Sequence, residues 1–74
     1  MAEELPIQRV EVTFLASPPG QRVKRASGVS EVVIEGRLLR CLVTGSFQPF
    51  LESLHGREVI SLISTREEPD DGRH

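Results

Sequence analysis

The chain has 74 residues and a formal charge of −2, with 38% hydrophobic and 27% charged residues. A domain usually takes about 150 residues, so this length holds one domain around one small core. A lone cysteine, Cys41, excludes a disulfide framework and a cysteine-built zinc site, and the acidic balance argues against a chain made to hold nucleic acid.

No apolar run approaches the length of a membrane span. The start, Met1-Ala2-Glu3-Glu4, is acidic, the wrong charge for a secretory signal, so a soluble cytoplasmic protein is expected. Residues 1–7 are read as a flexible lead, residues 8–65 as the folded domain, and residues 66–74 as a disordered acidic tail. That tail has no apolar residue, so it buries too little surface to offset the entropy of ordering.

In chain order, residues 9–15 come first. Val10, Val12 and Phe14 alternate with Glu11 and Thr13, the period of a half-buried strand. Ser17-Pro18 then reads as the N-cap and first position of a short helix. This helix is expected to run to Ala26 and stop at Gly28, with Arg22, Lys24 and Arg25 near its negative end. Only Val23 and Ala26 are candidates for burial on it.

Residues 29–34 and 38–44 are rich in aliphatic and β-branched residues, and Glu35-Gly36 with Arg37 joins them as a hairpin. Val32 and Ile34 share one face of the first strand; Leu39, Cys41 and Val43 share one face of the second. Ser46 opens a second helix, with Pro49 in its first turn and Gly56 as its stop. Phe47, Phe50, Leu51 and Leu54 fall at i, i+3, i+4 and i+7, the clearest helical stripe in the chain. Residues 58–64 close the block as a strand, where Val59, Ile60, Leu62 and Ile63 are too dense to assign to faces.

Strand, helix, strand, strand, helix, strand is the order of a ferredoxin-like α+β fold. Right-handed crossovers place both helices on one face of a four-stranded antiparallel sheet, in the order four-one-three-two. Phe14, Val12, Ile34, Val32, Cys41, Val43, Phe50 and Leu54 are the expected core.

Reactive chemistry finds little support in these residues. The glycines form neither a phosphate-binding loop nor a dinucleotide fingerprint. Cys41 stands mid-strand among aliphatics and reads as a small hydrophobe. His55 ends the second helix, where the dipole favours it, and His74 lies in the tail. One cysteine and two distant histidines supply no metal site. An RNA-recognition motif shares the topology, but it stacks bases on strand aromatics and residues 37–44 contain none. The first loop lacks the CxxC of heavy-metal domains, and the chain has no Asn to serve as the catalytic residue of an acylphosphatase. No catalytic residue, cofactor or metal is expected.

The outward positions carry more. With Leu39, Cys41 and Val43 facing the helices, Val33, Leu38 and Leu42 point away, and Leu15 and Ile60 join them as a candidate interface. A solvated sheet face normally turns polar, so adjacent aliphatics there mark a contact with another protein.

The run Arg9-Val10-Glu11-Val12-Thr13-Phe14, the pattern Gly28-Val29, Val32, Gly36, Leu39, Val43, Gly45, and the later Pro49-Phe50-Leu51-Glu52-Ser53-Leu54 resemble a known family. It is the small C-terminal accessory domain of ATP-binding subunits of bacterial ABC-type exporters of the daunorubicin-resistance kind. Arg66-Glu67-Glu68-Pro69 resembles the Arg-Glu-Pro that ends the family's last strand. Beyond it the family continues into a Leu-Glu-Glu-x-Phe helix, where this chain has Asp70-Asp71-Gly72-Arg73-His74.

The resemblance implies a non-catalytic regulatory or assembly domain that acts by protein–protein contact. The ATPase machinery would belong to a parent chain, if there is one. The implied partner is the ATPase domain of an exporter subunit or a second copy of this domain, with the membrane reached only through a transporter. The alternative on the same fold is an amino-acid-sensing regulatory domain, with ligand held between paired copies near residues 17–20. RNA binding is the weakest of the three readings.

Overall fold

The computed structural model describes residues 5–67. Six elements follow in order: β1 (Ile7–Phe14), α1 (Gly20–Arg25), β2 (Val29–Glu35), β3 (Leu38–Thr44), α2 (Gln48–Ser53) and β4 (Val59–Glu67). The strands form one antiparallel sheet in the order β2-β3-β1-β4, the arrangement of a ferredoxin-like α+β domain. β1 begins one position before the expected block and β4 continues through Glu67. Of the tail expected to be disordered, residues 66–74, Arg66 and Glu67 instead belong to β4, because they pair with Gln8 and Ile7 of β1, and residues 68–74 lie outside the described residues.

The sheet's helix side is set by alternation. Val10, Val12, Phe14, Leu39, Cys41 and Val43 are each at most 3% exposed, and Val23 of α1 with Phe50 and Leu54 of the α2 segment close over them. Both helices therefore share one face. Val29, Val32 and Phe47 pack against the margin of this core. Phe47 and Phe50 meet edge to face, with ring centroids 5.3 Å apart.

Four local expectations need correction. The first helix begins at Gly20 with Pro19 as its N-cap, and Ser17 does not cap it. A residue that precedes a proline is held out of the helical region, so Pro18 before Pro19 cannot open a helix. At the second helix Phe47 is the N-cap, yet Ser46 still accepts the Gln48 N–H on its Oγ at 3.2 Å.

Leu51 leaves the expected stripe and is 47% exposed, while Ser53 is buried and its hydroxyl donates to the Phe50 carbonyl. A helix of six residues buries only a narrow stripe, and the i+4 position turns to solvent. Ile34 faces the helices opposite Leu39 but is 42% exposed, because it lies on the edge strand β2.

Two glycines hold the connections. The β2–β3 turn has positive φ at Gly36 alone, the sign pattern of a type II′ turn, which matches the twist of a hairpin. Gly28 has φ 81°, and a Cβ there would stand 2.6 Å from the Thr44 carbonyl oxygen. Only glycine fits where the chain leaving α1 crosses the end of β3.

Candidate interaction surface on the open sheet face

Register places the other face of the sheet residue by residue. Residues directly opposite across a ladder share a face. One row reads Ser30, Leu42, Arg9, Thr65; the next reads Val33, Arg40, Glu11, Ile63; the third reads Glu35, Leu38, Thr13, Ser61. No helix among the described residues lies over these rows.

Val33, Leu38 and Leu42 thus fall around Arg40, with Leu38 and Leu42 two residues to either side of it on β3. Leu38 and Leu42 are half-buried and Val33 is 46% exposed. Arg40 Nη2 lies 3.1 Å from Glu35 Oε2, an exposed pair of small energetic weight. Leu15 and Ile60 are not part of this cluster. Leu15 follows β1, where its N–H donates to the Glu58 carbonyl oxygen at 3.0 Å. Ile60 is the extra residue where the β1–β4 register shifts, and it is 60% exposed.

A β-bulge shapes the same surface. Ser30 pairs with Leu42 and Val33 with Arg40, so two residues of β2, Glu31 and Val32, oppose Cys41. Glu31 takes φ 53°, an uncommon value for a residue with a side chain. The extra residue reverses the phase of β2: Val29, opposite Val43, and Ile34, opposite Leu39, both face the helices. Beside the bulge is an open depression of about 130 Å³ lined by Arg9, Glu31, Val33, Arg40, Cys41 and Leu42.

Arg40, Arg9, Glu31 and Ile63 were missed as parts of the surface. The alternation that placed Leu38 and Leu42 also places Arg40 between them. Ile63 needed the β1–β4 register, which no local pattern carries.

Elsewhere, Cys41 is 3% exposed and burial pushes its thiol up to about 11 from 9.0. A thiol so held stays protonated near neutrality and is a poor nucleophile. His55 is exposed, and its carbonyl oxygen accepts from Arg22 Nη1 at 2.9 Å, which ties α1 to the end of α2. A second depression, of about 220 Å³, lies between the end of β1 with Ser17 and the turn at Gly56, Arg57 and Glu58. It is smaller than the pockets of about 300–1,000 Å³ that enclose small ligands. No group of three metal-ligating side chains occurs among the described residues, and no helix there is long and apolar enough to cross a membrane.

Fold and surface together define a ferredoxin-like α+β domain with one sheet face that no helix among the described residues covers. No protein-family model matches the chain, and no curated protein or solved structure does either.

Proposed function

We propose that the chain is a non-catalytic accessory domain that works by protein–protein contact through the open sheet face. The observation that carries this reading is the cluster of Val33, Leu38 and Leu42 around Arg40, with Arg9, Glu11, Glu31 and Glu35 at its margin. Protein interfaces combine an apolar centre with a polar rim, and arginine is enriched in them. The family resemblance supports one partner, the ATPase domain of an exporter's ATP-binding subunit. Such a domain regulates by touching two states of its partner unequally, since only differential affinity shifts an equilibrium.

The test is titration of the 74-residue chain against a purified exporter ATPase domain, with Val33→Glu and Leu42→Glu as variants. Saturable binding that each variant weakens by about tenfold or more, with melting temperature held, is expected. Absence of binding at about 100 μM, or binding that ignores both changes, refutes the proposal.

A further inference from the structure

The middle row of the open face is complementary to its own reverse. Across the sheet it reads Val33, Arg40, Glu11, Ile63: apolar, positive, negative, apolar. Each of these residues stands in an unbroken stretch of ladder, clear of the register shifts at residues 31–32 and at Ile60, so all four face away from the helices. Val33 and Ile63, at the two ends of the row, are 46% and 55% exposed. Arg40 has Glu35 beside it, while Glu11 is half-buried and makes no hydrogen bond or ion pair among the described residues.

Consider two copies with their open faces together and a two-fold axis between the sheets, along the strands, midway between β3 and β1. This axis exchanges β3 with β1 and β2 with β4. Arg40 of each copy then lies over Glu11 of the other, and Val33 over Ile63, each twice by symmetry. Within one copy Arg40 and Glu11 are already ladder partners, so the four charges alternate in sign. In the flanking rows no like charges meet: Arg9 falls on Leu42, and Glu35 on Ser61. Other placements fail. Moving the axis onto β3 sets Arg40 against Arg40, and moving it onto β1 sets Glu11 against Glu11. Turning it across the strands along the middle row does both. Placing it across the strands between the first two rows opposes Arg9 to Glu11, but it sets Val33 on Ser30 and Ile63 on Thr65.

We infer that the open face closes on a second copy of the chain about this axis, giving a dimer of two stacked sheets with the helices of both copies outside. Facing sheets pack about 10 Å apart with strand directions within about 30°, which an axis close to the strands provides. The contact is isologous and therefore closed. Four strands about 4.8 Å apart and three rows about 7 Å apart give a footprint of roughly 400 Å² per copy. That is about half of a standard interface, so the dimer is weak, with a dissociation constant of the order of 100 μM. The charge pairs fix the register more than they add affinity. The dimer does not rest on the proposed function, though it uses the same face: an ATPase domain and a second copy exclude each other there.

Sedimentation equilibrium of the 74-residue chain from about 1 μM to about 1 mM is expected to show a monomer–dimer equilibrium. Arg40→Glu and Glu11→Arg each set like charges together, and each is expected to weaken the dimer by about tenfold. An equimolar mixture of the two single variants restores it, because each supplies the charges that the other lacks. Neither position is fully buried, and circular-dichroism melts of each variant serve as the folding control. Val33 and Ile63 are three strands apart in one copy, about 14 Å, too far for an NOE between their methyls. Such an NOE is expected in the unsubstituted chain near 1 mM, and only between labelled and unlabelled copies. A monomer throughout, a dimer that ignores both charge reversals, a mixture of the variants that stays monomeric, or a dimer without the Val33–Ile63 contact would overturn the inference. No ATPase domain is present in these samples, so failure here leaves its titration to decide the proposed function.

Discussion

Cys41 shows how burial alone decides what a reactive side chain does. On β3 it lies between Leu39 and Val43 on the helix side, opposite Val10 of β1, at 3% exposure. The thiolate would lose its hydration there, so the neutral form is favoured and the pKa rises from 9.0 to about 11. Two consequences follow from the same shift. Alkylation by iodoacetamide at pH 8 should be slow in the folded chain and rapid in urea. Stability should also depend on pH with a definite sign. Below pH 9 the thiol is protonated in both states and contributes nothing to the dependence. Between pH 9 and about 11 the unfolded thiol ionises while the folded one does not, so stability falls, by up to roughly 3 kcal/mol. Urea denaturation of the Cys41→Ala variant should show less of this alkaline loss than the parent.

The elements are short, and their irregularities carry as much information as their regular stretches. Both helices have six residues, too few to persist without packing, so Val23, Phe50 and Leu54 hold them down on the sheet. The bulge in β2 is the main departure from ideal pairing. It gives Val29 and Ile34 the same facing despite their odd separation, and it holds Glu31 at φ 53°. A side chain in that region costs about 1–2 kcal/mol, against about 0.5–1 kcal/mol for the extra freedom of an unfolded glycine. Glu31→Gly should therefore stabilise the chain by about 0.5 kcal/mol and raise the melting temperature by about 2–4 °C. A calorimetric scan showing a lower melting temperature would mean that the bulge depends on the glutamate side chain.

At the scale of the whole molecule the described residues form one core, built from β1, β3 and two helix segments on one face of the sheet, with β2 packed at its margin. The fourth strand, β4, contributes little to it: Val59 and Leu62 turn toward the helices yet remain 39% exposed, because the short helices leave that margin uncovered. At the far end of the same side, the Ser64 hydroxyl donates to the Gln8 side-chain oxygen. A molecule with a single core should unfold as a unit. Phe50 is completely buried at the centre of that core, and Phe50→Ala should cost about 3–5 kcal/mol. Small domains have little stability to spare, so this variant should be largely unfolded at 25 °C by circular dichroism. A folded variant with a normal melting curve would show that Phe50 does not hold α2 on the sheet.

What the sequence by itself determined was the order of elements, the hairpin at Gly36, the helix side of β1 and β3, and thereby the outward placement of Leu38 and Leu42. Each depends on a local period or a turn residue, which a chain carries without reference to its partners. The late start of α1 was equally local, since the consecutive prolines Pro18 and Pro19 announce it. The tertiary structure alone decided the bulge that turns Val29 as well as Val32 and Ile34 toward the helices, the two faces of β4, the loss of Leu51 from the buried stripe, and the meeting of Val33 with Arg40. Those depend on which residue of one strand stands opposite which residue of another. An extra residue at Glu31 or Ile60 reverses every facing beyond it, and only the paired strand shows where that reversal falls.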